Sequence, residues 1–94
     1  MTSPDLSIII PAYNEEALIV STLEGLQTYL STRPEQYEII VIDDGSQDKT
    51  TELIEQWQQC NQVELRLLVN AQNMGKGFSI QRGALESRGQ FIIF

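Results

Sequence analysis

Two runs, Leu6–Ile10 and Glu38–Ile42, constrain the fold more than anything else in this sequence, because each is a short, almost unbroken series of β-branched and aliphatic residues. Their length suits strands, and their lack of polar alternation is the pattern of strands covered on both faces, as in a parallel sheet. Pro11 closes the first run. Helical spacing then takes over from Glu15, with Ile19, Leu23, Leu26 and Leu30 at intervals of three and four, Asn14 in the N-cap position, and an end near Ser31 or Thr32 ahead of Pro34. The second run leads directly into the polar turn Asp43-Asp44-Gly45-Ser46. A second helix is predicted over Thr50–Gln59, with Leu53, Ile54 and Trp57 on one face, Ser46 or Asp48 as its cap, and Asn61 and Gln62 as its exit.

Val63–Val69 alternates, with Val63, Leu65, Leu67 and Val69 on one face and Glu64 and Arg66 on the other, which predicts a third strand nearer a sheet edge. A polar loop, Asn70–Gly77, follows it. Phe78–Ser87 reads as a third helix closed by Gly89 as C-cap, and Phe91–Phe94 as the start of a fourth buried strand. Strands alternating with helices at these lengths predict an α/β, Rossmann-like, mainly parallel sheet with helices on both faces, in one domain. Ligands of such sheets bind beyond the carboxyl ends of the strands. Three loops belong there: Pro11–Glu15, Asp43–Asp48 and Asn70–Gly77.

Composition narrows the function. Six Lys and Arg against thirteen Asp and Glu give a net charge of −7, which argues against a nucleic-acid partner. The chain has no histidine and one cysteine, excluding a Cys/His metal site, a His-dependent triad and an internal disulfide. Cys60 reads as a half-buried small apolar residue. No stretch approaches the roughly 18 apolar residues of a membrane span, and the N-terminus has no signal-like core, so a cytoplasmic location is expected.

Asp43 and Asp44, adjacent carboxylates at the end of a buried strand, require compensation. Either one accepts hydrogen bonds from a base or ribose or assists a metal, or one caps the next helix while the other is solvated. A phosphate-accepting receiver domain fits poorly, since the third strand is followed by Asn70 and no carboxylate comes before Glu86. At the first strand exit, Pro11, Ala12, Tyr13, Asn14 and Glu15 could offer a ring, an amide and a carboxylate to a planar base; alternatively Asn14 caps, Glu15 and Glu16 complement the helix dipole and Tyr13 covers the core edge. Gly75, Gly77 and Gly83 lack the spacing of the dinucleotide fingerprint, and Lys76 lacks that of a P-loop. Gly75-Lys76-Gly77 ahead of a helix can still bring a cation and backbone N–H groups to a diphosphate, or form a flexible loop with a solvated lysine. Arg82 and Arg88 read as surface residues.

Together, Pro11-Ala-Tyr-Asn-Glu-Glu16, Val41-Ile-Asp-Asp-Gly-Ser-Gln-Asp-Lys-Thr50 and Asn73-Met-Gly-Lys-Gly77 resemble the inverting glycosyltransferases of family 2, which have the GT-A fold. The resemblance spans nearly the whole chain and is strongest to the enzymes that load glucose or mannose onto dolichyl or other polyprenyl phosphates, with a lean to the glucose type from Glu38–Ser46 after Tyr37. It implies a nucleotide-sugar donor, UDP- or GDP-linked, and a polyprenyl phosphate acceptor. By residue, it implies that Pro11, Ala12, Tyr13 and Glu15 line the base and ribose site, that Asp43 hydrogen-bonds the base with Asp44 close by, and that Asn73, Gly75 and Lys76 border the nucleotide.

In this family the fourth strand leads into an Asp-x-Asp motif that holds Mg2+ or Mn2+, and a later acid is the base. The sequence ends at Phe94, where that motif is expected. The resemblance therefore implies a partial, nucleotide-binding N-terminal piece without catalytic or metal-binding residues, inactive by itself, with membrane association only through missing parts. The alternatives are a non-catalytic, truncated nucleotide-binding module and a scaffold whose cleft is empty.

Overall fold

The computed structural model describes residues 3–94, which form β1 (Leu6–Ala12), α1 (Ile19–Ser31), β2 (Tyr37–Asp43), α2 (Thr50–Cys60), β3 (Leu65–Val69), α3 (Lys76–Glu86) and β4 (Phe91–Ile93). The four strands make one parallel sheet in the order β3-β2-β1-β4. Chain order thus runs outward from β1 to β3, and the α3 crossover returns to the other side of β1. That reversal creates a switch point between β1 and β4.

Strand alternation sorts the side chains into two layers. Ile8, Ala12, Ile39, Val41 and Leu65 face α1 and α2, where they pack with Ile19, Leu23, Leu30, Ile54 and Trp57. Ile9, Ile40 and Ile42 face α3 and meet Leu68 and Ala84. Ile39, Ile40 and Ile42 are completely buried, each contributing about 1.5–3 kcal/mol of transfer free energy. Two-sided burial is the reason the strand runs are continuous rather than alternating. Gly83 lets α3 lie directly on the sheet, since a Cβ there would stand 2.6 Å from Ile9 Cγ2 and 2.7 Å from Ile42 Cδ1.

Several boundaries differ from the sequence expectation. β1 continues through Pro11 to Ala12, and the alternation explains why. Ala12 turns its carbonyl to β2, where it accepts from Asp44 N–H, so Pro11 faces the opposite side. There β4 pairs only as far as Ile8, and the missing N–H costs no ladder bond. Asn14 does not cap α1: it has φ 51°, and the helix begins at Ile19 after a turn. α3 starts at Lys76, two residues earlier than expected, and Gly89 is not its C-cap. Gly89 is required for close approach instead, because a Cβ would meet Ser7 N at 2.6 Å, and its N–H donates to Ser7 Oγ at 2.8 Å. Cys60 is exposed at the end of α2. β4, expected to be buried, leaves Phe91, Ile92 and Ile93 exposed. No helix among the described residues is long and apolar enough to cross a membrane.

At the amino ends of the strands a buried carboxylate ties β1, β2, β3 and the α3–β4 connection together. Glu38 is 3% exposed, and its Oε2 accepts from the Ser7 hydroxyl and the Arg88 N–H, both at 2.6 Å. Its Oε1 accepts from Arg66 at 3.0 Å. Replacing Glu38 with Ala strands three donors at once, and a loss of about 3 kcal/mol of unfolding free energy is expected. Urea titration of Glu38→Ala beside the parent chain checks this; an unchanged midpoint refutes the assignment.

Candidate nucleotide cleft

The carboxyl ends of the strands carry the three polar loops, and the alternation rule separates the two acids of the second one. Asp43, the last residue of β2, turns toward α2, whereas Asp44 turns toward α3. Asp43 is fully buried; its Oδ1 accepts from Ser46 N–H at 3.0 Å and its Oδ2 from the Thr51 hydroxyl. Asp44, 3% exposed, is bonded still more heavily. Its Oδ1 accepts from Met74 N–H at 2.7 Å and the Asn70 amide at 2.8 Å, and its Oδ2 from Gly75 N–H at 2.9 Å and the Asn73 amide at 3.1 Å. Neither acid is the solvated group that sequence reasoning allowed for.

Burial alone would raise the Asp44 carboxyl, but the donors from Met74, Asn70, Gly75 and Ser79 outweigh it and hold the group below the ordinary aspartate range. Glu38 behaves alike: burial raises it, while Ser7, Arg88 and Arg66 lower it further.

The first and second loops are stitched to each other. Asn14, in the left-handed conformation that asparagine tolerates, donates its N–H to Ser46 Oγ and accepts Gln47 N–H at its Oδ1, both at 2.9 Å. Glu15 N–H donates to Thr50 Oγ1 at 2.8 Å and Glu16 N–H to Asp48 Oδ2 at 3.2 Å. Lys49 N–H returns a bond to Glu16 at 3.3 Å, and Asp48 Oδ1 accepts from Thr50 N–H at 2.9 Å, although the N-cap position of α2 is held by Lys49 and not by Ser46 or Asp48 as expected. Gly45 completes the assembly. It has φ 73°, and a Cβ on it would stand 2.5 Å from the Gln72 carbonyl carbon, so the second loop can lie on the third only with glycine here.

A cleft of about 540 Å³ opens at the switch point, lined by Pro11, Ala12, Tyr13, Glu15, Asp44, Lys76, Ile80 and Phe94. Of the residues singled out from the sequence, it gathers Pro11, Ala12, Tyr13, Glu15, Asp44 and Lys76. Asp43, Asn73 and Gly75 do not line it: Asp43 is engaged on the α2 side, and Asn73 and Gly75 stand behind the wall as donors to Asp44. Sequence reasoning missed Ile80 and Phe94, and it missed Asn70 and Thr50, buried polar residues that fix the loops. A polar amide directly at a strand end was the available signal for Asn70. Among the described residues no three His, Cys, Asp or Glu side chains converge to hold a metal ion.

The chain is an open parallel α/β sheet with its cleft at the switch point, the place where sheets of this class bind their ligands. A glycosyl transferase family 2 model matches residues 7–94, and the chain belongs to that family. It is 39% identical over 94 residues to a dolichyl-phosphate beta-glucosyltransferase of Dictyostelium discoideum, covering 94% of this chain and 29% of that protein. The chain thus spans under a third of that relative's length. Among solved structures, a mannosyltransferase from Pyrobaculum calidifontis in complex with GDP-Man and Mn2+ superposes with a TM-score of 0.83 at 22% identity, over 98% of this chain and 27% of that one. Glucosyl-3-phosphoglycerate synthase from Mycobacterium tuberculosis, in complex with Mn2+, UDP and glucosyl-3-phosphoglycerate, gives 0.70 at 27% identity, over 96% and 33%. The architecture is that of the GT-A glycosyltransferases.

Two outcomes are expected from this geometry. Gly45→Ala must absorb both a positive φ and a backbone collision, costing about 2 kcal/mol or more; thermal melting checks it, and an unchanged midpoint refutes the loop contact. Asp44 and Glu38 have lowered values when folded, so the unfolded chain takes up their protons first as pH falls. Their contribution is complete above the unfolded carboxyl values of about 4 and is lost as pH drops through the folded ones. Urea midpoints are therefore expected to stay level from neutral pH to about 5 and to fall steeply below about 4.

Proposed function

We propose that this chain supplies the nucleotide-binding part of an inverting hexosyltransferase that moves a hexose from a nucleotide-sugar donor to a polyprenyl phosphate, with dolichyl phosphate as the acceptor and UDP-glucose as the donor. The observation that carries the reading is the convergence of Tyr13, Glu15, Asp44 and Lys76 on one switch-point cleft. The 39% identity to a dolichyl-phosphate beta-glucosyltransferase supports the acceptor and the glucose, and the UDP bound by a 27% identical relative supports the base. Residues 1–94 are read as one partial glycosyltransferase family 2 domain.

The roles follow from the chemistry of the wall. The Tyr13 ring, 44% exposed, covers one face of the base. Asp44, whose two oxygens each already accept from two protein donors, borders the base and ribose as a fixed negative charge. Pro11 and Ala12 form the apolar floor, Glu15 accepts from ribose hydroxyls, and Lys76 at the start of α3 neutralises the diphosphate in a chain that is otherwise strongly acidic. Asp43, Asn73 and Gly75 act from behind, holding the loops. A divalent ion, Mg2+ or Mn2+, would add charge neutralisation on the leaving nucleotide in the whole enzyme; the described residues supply no donor set for it, and no step here depends on it. Action on a polyprenyl phosphate would bring the whole enzyme to a membrane face.

Calorimetric titration with UDP, uridine and GDP tests the reading. The parent chain is expected to bind UDP more tightly than GDP. Lys76→Ala should weaken UDP about tenfold and leave uridine unchanged, since only the diphosphate loses a charge-assisted bond, whereas Tyr13→Ala should weaken both. A folded parent chain that binds none of the three overturns the reading.

A further inference from the structure

Asn70 is buried to 5% exposure at the end of β3, although it does not line the cleft. Its side chain stands between a donor and two oxygens. Arg82 Nη1, from the middle of α3, donates to Asn70 Oδ1 at 2.8 Å. The amide nitrogen of Asn70 then donates to Asp44 Oδ1 at 2.8 Å and to Ser79 Oγ at 3.0 Å. A guanidinium has no acceptor and a carboxylate no proton to give, so an amide between them has one permitted orientation. Arg82 and Asp44 thereby hold Asn70 from both ends, the one on its oxygen and the other on its amide nitrogen. On the far side, the same carboxylate receives Met74 N–H and Gly75 N–H, the two backbone donors immediately before Lys76.

We propose that Asn70 and Arg82 are positioning residues: the relay Arg82–Asn70–Asp44 fixes the Asp44 carboxylate and, through it, the Met74–Gly75 backbone that presents Lys76 to the cleft. Arg82 is thus more than a surface residue of α3. It links the middle of that helix to its own N-terminus by way of β3 and β2. The proposal deepens the nucleotide-cleft reading and rests on it for its effect on binding, but not for the relay itself.

The test uses the 94-residue chain with Arg82→Met, Arg82→Lys and Asn70→Ala. Amide hydrogen exchange reads the relay directly: Met74 and Gly75 are expected to exchange about tenfold faster in Arg82→Met and Asn70→Ala, with Ile40 and Ile42 unchanged and Arg82→Lys restoring protection. The dissociation constant for UDP is expected to rise about tenfold in the same two variants and to recover in Arg82→Lys. Unchanged exchange at Met74 and Gly75, or faster exchange across β1 and β2 as well, overturns the relay; the first shows no coupling and the second a general loss of stability. Should Asn70→Ala fail to fold, the partly exposed Arg82 still carries the test. A parent chain that binds neither UDP nor GDP defeats the nucleotide reading, while the exchange result still decides the relay.

Discussion

Burying two adjacent carboxylates at the end of β2 is the constraint around which the upper half of this molecule is organised. An acid withdrawn from water must be met by donors, and strand geometry sends neighbouring side chains to opposite faces. Asp43 therefore recruits the start of α2, and Asp44 recruits the loop before α3. One dipeptide thus fixes two loops on opposite sides of the sheet. The cleft lies beside Asp44, where Pro11, Ala12 and Tyr13 of the first strand exit meet Lys76 and Ile80 of α3.

The same logic separates stability from binding along the strands. Donors crowd Asp44 and Glu38 alike, and both carboxyls are held low despite their burial. Glu38, however, lies at the amino ends of the strands and closes the sheet against the α3–β4 connection, away from the cleft. Asp44 lies at the carboxyl ends, where the switch point leaves room for a ligand. Identical chemistry serves as a clasp at one end and as a cleft wall at the other.

Much of this was legible in the sequence. The continuous apolar runs at Leu6–Ile10 and Glu38–Ile42 follow from burial on both faces, and they gave two central strands. The three ordered motifs gave the family. Within the cleft, Tyr13, Glu15, Asp44 and Lys76 were recognisable as an aromatic ring, two acids and a cation at strand exits. The errors cluster where a residue serves a distant partner. Asn14 stands in the N-cap position, yet its amide meets Gln47 across the loop gap. Gly89 follows a helix, yet its role is to touch Ser7. Pro11 ought to end a strand, yet the sheet edge beside it makes its missing N–H harmless. Cys60 has an apolar side chain but points to solvent at a helix end.

By itself, then, the sequence determined the strands, the helices, the family and the set of polar groups available at one end of the sheet, because these depend on local periodicity and on residue chemistry carried in contiguous motifs. Only the tertiary structure decided which of the two acids faces the cleft, which glycines are irreplaceable, and that Asn70 and Arg82 stand behind Asp44. Those outcomes depend on which strand lies beside which and on where each register ends, and hydrogen bonds between residues twelve to fifty positions apart leave no periodic mark in the chain.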